Sequence, residues 1–116
     1  MLRPVKISIG SDPEIFVQQG GKVIGSEKVI PENGLGPSYE PSVIRDGIQL
    51  EFNPSAAKGT HNLGVNLSEA FKLLRGHLAQ VPEVTCCFSG VVEVSREELD
   101  SLSEKSRILG CQPSKN

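Results

Sequence analysis

Two short apolar stretches in this chain carry acids where a small core tolerates them worst. Ile9-Gly10-Ser11-Asp12-Pro13-Glu14-Ile15-Phe16-Val17 is the first, and Leu50-Glu51-Phe52-Asn53-Pro54 is its later echo. An ionised carboxylate loses its hydration on burial unless a charge or a hydrogen-bond donor replaces it. Any fold that buries Ile15, Val17, Leu50 and Phe52 therefore has to turn Glu14 and Glu51 towards solvent or towards a cation. A divalent ion fills that role well, so the two stretches point to a strand-borne carboxylate site able to take magnesium with nucleotide or amino-acid groups.

The rest of the chain limits what can surround such a site. At 116 residues it is one domain long, enough for one modest core. There is no Trp, so that core rests on Val, Ile and Leu. A net charge of -2 without a Lys/Arg cluster argues against nucleic-acid binding. No apolar run is long enough to span a bilayer and the N-terminus lacks an apolar leader core, so a cytoplasmic protein without membrane partners is expected. The three cysteines include the adjacent Cys86 and Cys87 and form no C-x-x-C pair, which fits neither a disulfide framework nor a zinc site. Cys86 is expected to pack as a small apolar residue.

Hydrophobic periodicity sets the order of elements. Val5, Ile7 and Ile9 alternate with polar residues, then Gly10 to Pro13 bend or bulge the chain, and Ile15 and Val17 resume the alternation. Gly20-Gly21 suits a two-residue hairpin turn into a short strand at Lys22 to Ile24. Residues 25–42 are broken up by Gly and Pro and keep no apolar period. With Glu27, Lys28, Glu32, Tyr39 and Glu40 they are either a substrate-covering segment or a plain surface loop. Asp46-Gly47 is expected to form a type I′ turn between strands 43–45 and 48–53. Leu67, Ala70, Phe71, Leu74, Leu78 and Val81 mark the core stripe of a helix over roughly 63–80, with Asn62 or Asn66 as its cap. His77 on that helix is expected to face solvent. From Val84 to Val94 the period returns to two, giving one long strand or two bent at Ser89-Gly90. Ser95 with Glu98 makes a capping box that opens a second helix through about Lys105. The predicted fold class is α+β, a mostly antiparallel sheet with two helices packed on one face.

On the second acidic strand Gln49, Glu51 and Asn53 share the face opposite Ile48, Leu50 and Phe52. Should this strand lie beside the first, Glu14, Glu51 and Asp12 converge. Two carboxylates about 4 Å apart repel by roughly 4 kcal/mol at an effective dielectric near 20, so they share a proton or hold a cation. Oxygen-only ligands favour magnesium or manganese, and Asn53 or Gln49 can add amide oxygens. Arg45 can meet a substrate carboxylate or phosphate, the alternative being an ordinary surface position. The alternative is that these acids are solvated strand-edge or turn-capping groups, for which Asp12 before Pro13 is well suited.

Gly10-Ser11-Asp12-Pro13-Glu14-Ile15-Phe16, the Asp46-Gly47-Ile48-Gln49-Leu50-Glu51-Phe52-Asn53-Pro54 hairpin and the closing Gly110-Cys111-Gln112-Pro113-Ser114 together resemble the N-terminal part of the phage-type carboxylate–amine ligases. That family is related to the glutamine synthetase and glutamate–cysteine ligase fold. The resemblance implies an ATP- and magnesium-dependent ligase that forms an amide through an acyl-phosphate. It implies that Glu14 and Glu51 coordinate metal with Asp12 in support, and that Asn53 lies beside substrate, with Gln49 and Arg45 as further substrate-binding candidates. Family members continue well past Asn116, so residues 1–116 are expected to be a single, truncated or shortened ligase-like domain that does not turn over alone. A second class of function is a small phage protein that binds and inhibits a host enzyme or defence complex in the host cytoplasm. Exposed strand edges would serve such a partner or a homodimer.

Overall fold

The computed structural model describes residues 7–37 and 41–107. Five strands form one antiparallel sheet: β1 (Glu14–Gln19), β2 (Lys22–Ile24), β3 (Ser42–Asp46), β4 (Gln49–Asn53) and β5 (Val84–Cys87). Two helices complete an α+β fold, α1 (Thr60–Leu78) and α2 (Arg96–Ser101). β1 is the hub. Its C-terminal half pairs with both β2 and β5, while Glu14 and Ile15 pair with Glu51 and Leu50 of β4. β4 in turn pairs along its length with β3.

Alternation then sorts the side chains. Ile15, Val17, Val43, Leu50 and Phe52 lie on one face and are buried. α1 packs on this face through Ala70 and Leu74, with Leu67, Phe71 and Leu78 closing around it. The Phe71 ring stacks on Phe52 with centroids 4.3 Å apart. Cys86, opposite Val17, packs against the same core, and burial raises its thiol pKa.

Several local expectations are revised. The alternation at Ile7 and Ile9 yields a single bridge, Ile9 to Ala57, and Ile7 is 71% exposed; Val5 lies outside the described residues. α1 starts at Thr60 behind Gly59, with no side-chain cap. Asn66 instead donates to the Ser55 carbonyl. His77 does not face solvent: its Nε2 donates to the Val29 carbonyl at 2.6 Å, which fixes the proton on that nitrogen. The strand after Val84 stops at Cys87, because beyond it Ser89 bonds locally to both backbone groups of Val91.

The described part of the segment after β2 contributes to the core. It makes a short 3-10 turn at Ser26–Lys28, sends Val29 and Ile30 into the core and returns to pair Leu35 with Val43. Tyr39 and Glu40 lie outside the described residues. α2 begins as its capping box requires, with Ser95 Oγ accepting from the Glu98 amide. The Glu98 carboxylate does not reach back to close the box. It accepts from the Gly25 amide and the Lys28 ammonium, tying α2 to the 3-10 turn, and the helix ends at Ser101 rather than near Lys105.

Phe52 is fully buried at the centre of this packing. Phe52→Ala is expected to lower the unfolding free energy by about 3–5 kcal/mol. Urea titration of the two proteins measures the loss.

Candidate metal centre

The sheet face opposite α1 carries the acids. Glu14 and Glu51 are direct cross-strand partners in β1 and β4, as their common face requires. The third carboxylate comes from Asp46, which the sequence pattern assigned to a turn. In the structure Asp46 is the last residue of β3 and pairs with Gln49, so the two turn residues are Gly47 and Ile48. Only the first has positive φ: Gly47 sits at 59°, and Glu83 is the sole non-glycine with positive φ among the described residues. That is the pattern of a type II′ turn rather than type I′. Gly20 and Gly21, both at positive φ, do keep the type I′ pattern.

The one-residue shift has a chemical result. Ile44 pairs with Glu51, and Asp46, two residues on, points to the same face. Carboxylate oxygens of Glu14, Asp46 and Glu51 all lie within 4.8 Å of one another. Loss of hydration is the main cause that raises Glu14 to a pKa of about 6; a hydrogen bond from its protonated carboxyl to Asp46, and the negative charges of Asp46, Glu51 and Asp12, add to it. Glu51 is raised too, first by burial, against a hydrogen bond from Asn53 that favours its ionised form.

The other candidates separate by face and distance. Asp12 acts on both glutamates through its charge, outside the group of three. Asn53 is beside Glu51 and Gln49 is opposite Asp46. Arg45 is on the core side, opposite Leu50. Its guanidinium donates to the Ile30 carbonyl at 2.7 and 3.0 Å and to that of Glu27 at 3.2 Å, so it is not presented to the acidic face. Asp46 could have been found from sequence only by placing the turn correctly. Gly at the first turn position favours II′ as readily as Asp-Gly favours I′.

The donor set is all oxygen and all anionic, which suits a hard divalent cation. Neighbouring oxygens on an octahedral magnesium at about 2.1 Å are about 3.0 Å apart, so the three side chains would have to draw together by up to about 1.8 Å to hold one ion. The same face continues along β1 through Phe16 and Gln18. There Gln18, Val23 and Cys87 line an open cleft of about 540 Å³ with residues of the Val91–Ser95 segment. No helix among the described residues is long and apolar enough to cross a membrane. No protein-family model, curated protein or solved structure matches the chain.

Because Glu14 binds its proton more tightly folded than unfolded, the protein holds more protons in the folded state between the ordinary value of 4.5 and about 6. Stability from this group is therefore full below about pH 4.5 and lost as pH rises through about 6. Glu14→Gln, permanently neutral, is expected to match the wild type in urea midpoint at pH 4. It should exceed the wild type increasingly up to pH 7. A midpoint difference that does not change with pH contradicts the assignment.

Proposed function

We propose that this face binds a divalent metal ion, magnesium in the cell, through Glu14, Asp46 and Glu51, and that it does so as part of a phage-type carboxylate–amine ligase site. The observation that carries the reading is the convergence of three carboxylates from three strands on the solvent side of the sheet. The Gly10–Phe16 and Asp46–Pro54 motifs that resemble the ligase family contain all three acids, which supports the same reading. Asp12 lends negative potential from the segment that leads into β1. Asn53 hydrogen-bonds the Glu51 carboxylate and partly offsets the effect of burial on it, and Gln49 offers its amide beside Asp46 for substrate.

A magnesium ion held this way supplies charge neutralisation for phosphate oxygens of a nucleotide such as ATP. This chain's own residues present the acids on a rigid sheet and keep Glu14 near the point of deprotonation at neutral pH. ATP, the acid and the amine enter the reading through the resemblance. Metal capture is the part that the three acids support directly.

A second reading, capture and inhibition of a host protein, draws on a different observation. Val91, 86% exposed, lines the cleft at the β2 and β5 end of the sheet, and Phe88, 68% exposed, sits between the cleft residues Cys87 and Ser89 in sequence with its ring centroid 6.1 Å from that of Phe71. Such a partner would bind the double variant Glu14→Gln, Glu51→Gln as well as the wild type, and would be lost from a Phe88→Ser, Val91→Ser protein.

Calorimetric titration with Mn²⁺, Mg²⁺ and Ca²⁺ at pH 7.5 tests the metal reading. One site is expected, with Glu51→Gln and Asp46→Asn each weakening it by at least about tenfold. Metal at one hundred times the wild-type dissociation constant should stabilise the wild type by about 2.7 kcal/mol and Glu51→Gln by about 1.4 kcal/mol or less. Absence of saturable binding of all three ions removes the reading.

A further inference from the structure

Asp46 is held against two like charges by a turn, and the turn itself is held from outside the hairpin. We propose that Ser26 is the positioning residue for the carboxylate face, clamping the Gly47-Ile48 turn so that Asp46 stays in β3 beside Glu14 and Glu51. In a two-residue hairpin the carbonyls of the central residues have no partner in the ladder. Here a single residue takes both. Ser26 Oγ donates to the Gly47 carbonyl at 3.0 Å, and the Ser26 amide donates to the Ile48 carbonyl at 3.0 Å. Ser26 is 0% exposed, so its two donors make these bonds shielded from bulk water.

A second attachment lies on the other side of Asp46. Arg45, the preceding residue, binds the Ile30 and Glu27 carbonyls. Both chain neighbours of the third carboxylate are thus fastened to one five-residue stretch, Ser26 to Ile30. That stretch has its own anchors. Val29 and Ile30 are in the core, and the Val29 and Ile30 amides both donate back to the Ser26 carbonyl. Glu98 of α2 accepts from the Gly25 amide at 3.0 Å, and Leu102 packs so closely on Gly25 that a Cβ there would force the Leu102 methyl groups to move. The hydroxyl of Ser26 is therefore the end of a strut that runs from α2 to the acid face.

The inference rests on the metal reading for its purpose, and on geometry alone for the clamp, so the test measures both. Mn²⁺ affinity is read by calorimetry, and hydrogen exchange is followed at the Asp46 and Gln49 amides. Ser26→Ala is expected to weaken Mn²⁺ about tenfold or more and to speed exchange at those two amides. Ala70→Gly, a buried α1 change that loosens the fold away from the turn, is expected to leave Mn²⁺ affinity within about twofold. Ser26→Thr, which keeps the hydroxyl, should recover most of the affinity. If Ser26→Ala does not fold, Glu98→Ala carries the test at the far end of the strut, with a several-fold loss of affinity and faster exchange expected at the turn. Unchanged exchange at Asp46 and Gln49 in the folded variant overturns the clamp. Wild-type protein that binds no Mn²⁺ overturns the metal reading instead, and the exchange rates still decide the role of Ser26.

Discussion

The pairing of Ile15 and Val17 with three different strands is the constraint from which the rest of the structure follows. β1 has six residues, yet it meets β4 at one end and both β2 and β5 at the other. Burying Ile15 and Val17 beneath α1 leaves its even-numbered side chains no choice of side. Glu14, Phe16 and Gln18 must then share the second face with the polar row of β4. The acidic cluster is a by-product of core formation in this sense: the same alternation that seats Leu50 and Phe52 in the core aims Glu51 at Glu14.

What the sequence makes legible is the part governed by period. The α+β class, the glycine hairpin at Gly20-Gly21, the stripe of α1 and the Ser95 cap all arise from local patterns that tertiary packing leaves unchanged. The opposition of Glu14 and Glu51 follows once two alternating strands are made neighbours. Features governed by long-range bonds are not legible in this way. His77 has no local reason to face inward; it does so because Val29 offers a carbonyl there. Arg45 reads as a free cation in sequence and is in fact consumed by backbone carbonyls fifteen to eighteen residues away. Glu98 has the spacing of a reciprocal cap, and its carboxylate is taken by Gly25 and Lys28 instead.

The Gly- and Pro-rich stretch after β2 shows the same limit from the opposite direction. Its lack of period is the mark of a loop, and its turns are those of one. Its hydrophobic residues are few, but Val29 and Ile30 are adjacent and fall where the sheet and α1 leave space. A segment without regular structure thereby becomes a structural part. Its backbone carbonyls accept from Arg45 and His77, so the side chains of the regular elements satisfy the irregular one.

The hairpin turn carries information that no residue in it states. Asp46 is acidic whichever way the turn forms, but only the II′ placement of Gly47 makes it a strand residue with a fixed direction. The presence of a third carboxylate is thus a matter of parity. Adding or removing one residue in the turn would keep every acid in the chain and still turn one of them away. Two proteins could then match at all three acidic positions and differ in whether they own the site. For hairpin-borne sites of this kind, the length of the connection is as much a ligand as the side chains it aims.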